Sequence, residues 1–454
     1  MRIALVGPAH PYKGGGARHT TELAHRLAAA GHDVVIESWR AQYPAWLYPG
    51  QQLLDVPEGE PYPQTRRRLA WYRPDGWLAE GRRLASADLV VFALLTPLQV
   101  PAYLAILAAL RRAPDPLLPR RPSTVVICHN VLPHERHPGD TALTRALLSR
   151  VDTVLVHSPA QATQVRELTL ATRVVTAQMP PHLPRSLGGD QCSLGGDEPK
   201  SPPQTPPAHG GAARPPVPPG PPDGGAVRLA VPLGPPGSSG PPDGGAVRLP
   251  VPLGPSGPAD GGAVRLPAPL GSSGPPDGGA PAWAGRLLFF GIVRPYKGLD
   301  VLLRALARGP AHLTLTVAGE FWGGTGETEK LMAELGIADR VRLRPGYVPA
   351  SEIPALFGAA DALVLPYREA TASQNALLAF AHGVPVITTT AGALADLVRD
   401  GVDGLTCAPG DVADLARVLR EISVPGMARR LQAGVTAIDP VPCWADYLKA
   451  LLAR

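Results

Sequence analysis

Two runs of short apolar strands, each alternating with helical patterns, predict an α/β protein with two doubly wound domains. The runs occupy residues 1–183 and 287–454, and a Pro/Gly-rich insert at 184–286 separates them. Of the chain's 56 Pro and 50 Gly, 26 Pro and 23 Gly fall in that insert. The rest is long enough and apolar enough for two cores. Collagen is excluded because no Gly-X-Y period exists. Cys128, Cys192, Cys407 and Cys443 are too few for a disulfide scaffold at this length and lack metal-ligand spacing.

In the first run, Arg2–Val6 reads as a strand, Ala17–Ala30 as a helix and Gly31 as its stop. Val34–Glu37, Leu89–Leu95, Thr124–Cys128 and Thr153–Val156 are further strands. The 22 uncharged residues Leu89–Leu110 match a membrane span in length. Thr96, Pro97, Gln99 and Pro101 interrupt them, so a buried strand followed by a helix fits better. The second run places strands at Leu287–Gly291, Leu313–Ala318, Val341–Arg344, Ala362–Leu365 and Val384–Thr388. Strands spaced by helices imply parallel sheets covered on both faces, with ligands beyond the strands' carboxyl ends.

The insert repeats Gly-Gly-Ala-Val-Arg-Leu from Gly224, Gly244 and Gly261. Each unit offers only a few apolar side chains among prolines, too few to offset the entropy of ordering, so a disordered tether is expected. Charge is divided unevenly. Residues 1–183 carry 20 Lys/Arg against 14 Asp/Glu, whereas residues 287–454 carry 16 against 17. The surplus concentrates in Arg66–Arg68, Arg82–Arg83, Arg111–Arg112 and Arg120–Arg121. No nucleic-acid-binding motif accompanies it, so a solvated face is the ordinary reading and contact with an anionic lipid surface or a phosphorylated acceptor the alternative. Met1–Val6 opens as a strand rather than a leader, and a cytoplasmic protein is expected, peripheral at a membrane at most.

Two loops carry chemistry. Gly7 to Gly16 joins a strand to a helix, and Gly14, Gly15 and Gly16 let backbone N–H groups approach an anion. The tight Gly-x-Gly-x-x-Gly turn of dinucleotide enzymes is absent, so Glu37 at the second strand's end only mimics their ribose-binding acid. In the second run, Arg294 and Lys297 follow the first strand and precede a helix, a placement suited to a diphosphate. Beyond Leu365, Glu369 can orient sugar hydroxyls while the N–H groups at Ser373, Gln374 and Asn375 face phosphate oxygens.

At these residues the second run resembles the nucleotide-sugar-binding domain of retaining GT-B glycosyltransferases of family 4. The likeness is carried by Phe289–Asp300, Val317–Glu320 and Pro366–Gly410 and runs through 287–424. The first run is similar to that family's acceptor domain through Gly14–Gly16 and Cys128-His129-Asn130. Trp444–Leu452 resembles the terminal helix that crosses back toward the first domain. The resemblance implies two Rossmann-like domains facing each other across a cleft. It implies that Lys297 holds the donor diphosphate, that Glu369 contacts the transferred sugar, and that His129 faces that sugar from the other domain. Gly15 and Gly16 would close over the diphosphate. The family's arginine position is Ile292 here, and Arg294, two residues on, is the substitute that strand alternation allows. The family's second glutamate falls on Leu377 or Leu378, which leaves the ribose contact unassigned.

Glu369, His129 and Lys297 are thus the expected catalytic residues, and Gly15, Gly16, Arg294, Lys297, Glu369, Ser373, Gln374 and Asn375 the expected donor-binding residues. His134 and His137 are candidates for acceptor contact, and Trp39, Trp77 and Trp322 for packing or acceptor-side roles. The implied activity is hexose transfer from a nucleoside-diphosphate sugar to a glycan, lipid or small-molecule acceptor, with retention. No acidic pair suggests a metal site, and no cofactor is expected. The missing glutamate also fits a binding or scaffold protein without catalysis, and a nucleotide-sugar epimerase is a third reading.

Overall fold

The computed structural model describes residues 1–44, 52–54, 59–112, 121–133, 137–170, 172–182, 283–370 and 373–453. Apart from Trp283–Arg286, the repeat insert lies outside the described residues, as do Cys192 and His134.

The first sheet forms from β1 (Arg2–Val6), β2 (Asp33–Ala41), β3 (Thr65–Ala70), β4 (Leu89–Leu94), β5 (Ser123–Cys128), β6 (Thr153–Val156) and β7 (Arg173–Thr176). All its pairings are parallel, in the order β3-β2-β1-β4-β5-β6-β7. Every residue of β4 is buried, as expected for a central strand covered on both faces. Helix α1 (Gly15–Ala29) packs Leu23, Ala24 and Leu27 against Ile3, Leu5 and Ile36 on one face. The other face is covered by α2 (Pro74–Leu84), α3 (Val100–Arg112), α4 (Asp140–Leu148) and α5 (Pro159–Leu168), with Tyr103, Ile106 and Leu147 in its core. Leu89–Leu110 thus divides into a buried strand and a packed helix, and no helix of the described residues is long and apolar enough to cross a membrane.

The second sheet repeats the plan with β8 (Arg286–Phe290), β9 (Thr314–Gly319), β10 (Val341–Pro345), β11 (Ala362–Leu365), β12 (Val386–Thr389) and β13 (Gly404–Cys407). Its order is β10-β9-β8-β11-β12-β13, again parallel throughout. One face is covered by α6 (Leu299–Arg308), α7 (Gly326–Glu334), α11 (Val412–Ile422) and α12 (Met427–Gly434). The other carries α8 (Ile353–Gly358), α9 (Gln374–Ala381) and α10 (Leu394–Leu397). Helix α13 (Pro440–Leu452) belongs to neither face of this sheet. Trp444, Tyr447 and Leu451 form one helical stripe, and that stripe is buried in the first sheet's core beside Ile3 and Leu27. The chain's last helix therefore crosses back to the first sheet.

Strand order reverses between β1 and β4 in one sheet and between β8 and β11 in the other. At such a switch point the two flanking loops diverge and leave a crevice at the carboxyl ends of the strands. Close backbone approach marks both places. A Cβ on Gly16 would strike the Leu95 side chain, and one on Gly298 would strike the carbonyl oxygen of Pro366. Gly298 also has φ +67°, the left-handed region that favours glycine. Gly298→Ala is therefore expected to destabilise the protein by roughly 1–3 kcal/mol, read as a lower urea midpoint with an unchanged m-value.

Candidate active site

The loop from β8 to α6 is anchored first by backbone. The Gly291 N–H donates to Ala318 O at 2.9 Å and the Val293 N–H to Glu320 O at 2.8 Å, which extends the β8–β9 ladder past the strand ends. Lys297 follows in a single turn of tighter helix, Pro295–Lys297, with Gly298 reversing the chain into α6. A Cβ on Gly291 would lie 3.1 Å from Asn375 Nδ2 and 3.4 Å from Lys297 Nζ, so both nitrogens converge on the end of β8. Asn375 is fixed there by donating from Nδ2 to Phe290 O at 2.8 Å.

Lys297 Nζ lies 5.2 Å from the centre of the Tyr367 ring. Burial draws its ammonium down, but Tyr367 and Tyr296 beside it more than offset this and raise it. The charge is retained at any physiological pH. Tyr367 also accepts from Asn375 Nδ2 at 3.4 Å. The loop after β11 is tied to the loop after β8 by Arg368. Its guanidinium donates to both carboxylate oxygens of Asp300, at 2.8 and 2.7 Å, and to Pro295 O at 2.7 Å. Partial burial pushes Asp300 up, yet Arg368 overrides it and holds the carboxyl below its ordinary range. The Arg368 N–H completes the tie by donating to Tyr296 O at 2.7 Å.

Glu369 is exposed on this braced loop, one residue beyond Arg368. Arg294 lies with its guanidinium carbon 4.4 Å over the ring of Trp322, in the loop after β9. Ser373 is buried at the N-cap of α9 and makes no capping bond of its own. The Gln374 side chain has a use that the sequence did not indicate. Its Oε1 accepts from the His182 N–H at 3.0 Å and its Nε2 donates to Pro180 O at 3.1 Å. Both ends of the amide thus hold the segment that leaves the first sheet. Leu377 and Leu378 are both buried, so neither candidate for the second glutamate position offers a polar contact.

His129 follows β5, with its N–H donating to Leu94 O and its C=O accepting from Gln161 Nε2, both at 3.0 Å. Its ring is buried in a cluster that sequence reasoning missed. His19 lies 5.1 Å away and His157 5.3 Å away, centre to centre. His19 shares hydrogen bonds with His182 at 2.8 Å and with the Tyr447 hydroxyl at 3.1 Å, and it stacks on Trp444. His129 Nε2, His157 Nε2 and His182 Nδ1 are buried without a hydrogen-bond partner among the described residues. Four histidines, from α1, the residues just past β5 and β6, and the segment after β7, share no sequence signal that would have assembled them. Among the described residues, no group of three or more His, Cys, Asp or Glu is arranged to hold a metal ion. His137 lies apart on the surface, 3.7 Å from Asp140. Trp39 is fully buried, and Trp77 is half-buried with its ring N–H donating to Ala70 O at 2.8 Å. Glu37, the false ribose acid, is wholly buried at 3.2 Å from Arg66.

On the first sheet's own switch point a pocket of ≈ 140 Å³ opens beside Gly14, Gly15 and Gly16. Lys13 lines it and reaches across to the second sheet, where Nζ meets Glu320 Oε1 at 3.0 Å. Neither partner of this pair was singled out from the sequence.

Two family profiles match the chain. Glycosyltransferase Family 4 matches residues 13–177, and Glycosyl transferases group 1 matches residues 284–423, together about two thirds of the sequence. The chain belongs to the group 1 glycosyltransferases. Among curated relatives, a D-inositol 3-phosphate glycosyltransferase of Frankia alni is 39% identical over 178 residues, covering 37% of this chain and 44% of the relative. One of Thermomonospora curvata is 38% identical over 179 residues, covering 37% and 41%. The chain spans less than half the length of these relatives. Sucrose-phosphate synthase from Thermosynechococcus elongatus shares the fold, with a TM-score of 0.61 at 16% identity over 99% of this chain and 96% of that one. Anabaena HepE, solved with UDP and glucose, has a TM-score of 0.60 at 15% identity over the full length of both. These structures carry the GT-B plan of two Rossmann-like domains, and this chain has the same plan.

The histidine cluster makes stability depend on pH. Burial, and after it the neighbouring histidines, lowers His19 and His129; burial, and after it Arg18, lowers His182 to about 3; and burial lowers His157 to about 4. The unfolded chain binds these protons near the ordinary value of 6.5 and the folded chain does not. Stability from the neutral cluster is therefore complete above that value and is lost as pH falls below it. Thermal unfolding is expected to drop steadily from about pH 7 to about pH 4.5, with a shallower fall in His157→Gln. A melting temperature flat across that window contradicts this.

Proposed function

We propose that the protein transfers a hexose from a nucleoside-diphosphate sugar to a hydroxyl of an acceptor, with retention at the anomeric carbon. The observation that carries this reading is the convergence of Lys297 Nζ and Asn375 Nδ2 on Gly291 at the end of β8. A permanent cation at a switch point, over a helix start, suits a diphosphate. Membership of the group 1 family supports it. So do the relatives, which are named as glycosyltransferases, and the Anabaena structure, which is described with UDP and glucose.

In this reading the bond between C1 of the sugar and the diphosphate oxygen breaks while the acceptor oxygen bonds to C1 on the same face. Negative charge grows on the departing diphosphate, and Lys297 and Arg294 stabilise it where it develops. The acceptor proton passes to a diphosphate oxygen, so no side-chain base is needed. Glu369, the one carboxylate on the loop after β11, orients the sugar's hydroxyls. His129 stays neutral, as its burial favours, and contributes shape and hydrogen bonding rather than charge. Charge compensation comes from protein cations, so transfer proceeds with a chelator present.

The test supplies the full chain with UDP-, GDP-, ADP- and TDP-hexoses and a panel of acceptors, with chelator, and follows nucleotide release. One nucleotide is expected to be preferred, and proton NMR of the product should show the donor's anomeric configuration. Lys297→Ala should lower turnover by about 10²–10³ while its melting temperature is kept. An inverted product, or turnover in Lys297→Ala near that of the native protein, rules the assignment out.

A further inference from the structure

Side chains from three distant elements converge on Pro180, Pro181 and His182, the buried residues that lead out of the first sheet. Two prolines in a row fix the backbone and remove two N–H donors, so this stretch cannot complete a strand ladder. Its remaining polar groups need side-chain partners instead. Gln374 supplies two of them with one amide: Oε1 accepts from the His182 N–H at 3.0 Å and Nε2 donates to Pro180 O at 3.1 Å. Trp444 of α13 donates from its ring N–H to Pro181 O, between those two bonds, at 3.3 Å. The His182 ring then shares a hydrogen bond with His19 of α1 at 2.8 Å, and His19 shares one with the Tyr447 hydroxyl of α13 at 3.1 Å.

The two ends of this link are helix starts of the same kind. Helix α9 follows β11 and α1 follows β1, and each of those strands borders its sheet's switch point. Gln374 is the first residue of α9. Its neighbour Asn375 is the residue that donates to Phe290 O at the end of β8. At the other end, α1 begins at Gly15, and the Thr20 hydroxyl steadies its first turn by donating to Gly16 O at 3.0 Å. The Gln374 amide is thus committed at both its atoms to the joint between the sheets rather than to a ligand.

We propose that Gln374 and His19 are positioning residues for sugar transfer: through His182 they hold the start of α9 and the start of α1 in one fixed relation. A donor on the second sheet and an acceptor on the first then meet in reacting geometry. The inference rests on the glycosyltransferase reading of the site. Neither side chain contacts the donor, so removing either one lowers turnover and leaves nucleotide affinity in place. A displacement of reacting groups by about 1 Å costs on the order of 10²-fold in rate, so even a small loosening of this link is measurable.

The experiment compares the full native chain with Gln374→Met, His19→Gln and the double variant. Calorimetry gives the affinity for UDP, GDP, ADP and TDP, and nucleotide release from the corresponding hexose donors, with a panel of acceptors, gives turnover. Gln374→Met is expected to keep its nucleotide affinity within about threefold. Its turnover should fall by at least about tenfold. The double variant should fall no further than the more damaged single one, because both changes interrupt the same link. Affinity that weakens in step with turnover, turnover equal to the native, or losses that multiply in the double variant overturn the proposal. Should His19→Gln fail to fold, the half-buried Gln374→Met still decides through its split between affinity and turnover. Backbone hydrogen exchange of the free protein adds a readout that needs neither donor nor acceptor. In Gln374→Met, exchange should quicken by at least about threefold in residues 15–24 as well as in residues 374–381. Quickening confined to 374–381 makes the amide a local clamp and overturns the proposal. A native chain that binds none of the four nucleotides counts against the donor reading, while the exchange result still decides whether the link exists.

Discussion

A lysine ammonium can stand at the end of β8 only because the backbone leaves room for it and its neighbours can share its charge. Gly291 supplies the room, since a Cβ there would crowd Asn375 Nδ2 at 3.1 Å and touch Lys297 Nζ at 3.4 Å. Tyr367 supplies a ring face and a hydroxyl, and the Arg368–Asp300 pair keeps the two loops from drifting apart. A half-buried cation costs solvation, and the surroundings offset that cost without neutralising the charge. That balance keeps the site attractive to an anion. The parallel topology comes first in this chain of causes, because a reversal of strand order is what opens a crevice for the two loops.

The two sheets are joined through few, specific contacts. Gln374 stands at the first turn of the helix that opens on the donor loop, yet its amide grips the backbone at Pro180 and His182. His182 in turn bonds His19 on α1, the helix that begins at Gly15, and His19 bonds Tyr447 on the helix returning from the chain's end. A continuous set of contacts therefore runs from the start of α9 to the start of α1. The histidines in it are neutral, so they pack closely without repulsion, and acid attacks the same place that holds the sheets together.

Much of this was legible in the sequence, and what was not has a physical cause. The buried strands were readable because central parallel strands are continuous apolar runs, as Leu89–Leu94 and Ala362–Leu365 are. Strand β3 was not, because Thr-Arg-Arg-Arg-Leu-Ala lies at the sheet edge and its arginines read as a solvated charge run. Strand β7 is likewise a short edge strand, half exposed. Helix α13 begins at Pro440, four residues before the apolar stripe that announced it. In the site, Lys297 and Asn375 fall within one motif-bearing domain and their convergence could be anticipated. Gln374 could not be placed, because its partners are 192 and 194 residues away. The Lys13–Glu320 pair spans 307 residues, and only the folded arrangement of two sheets reveals it.

The central claim is that the cation at the end of β8 is there to hold a nucleoside diphosphate. Calorimetric titration of the full chain with UDP, GDP, ADP and TDP, in chelator, tests it most directly. The account predicts saturable one-to-one binding of one nucleotide, with an affinity that collapses in Lys297→Ala and survives in Lys297→Arg. Binding that is indifferent to both substitutions, or no binding of any of the four, contradicts it.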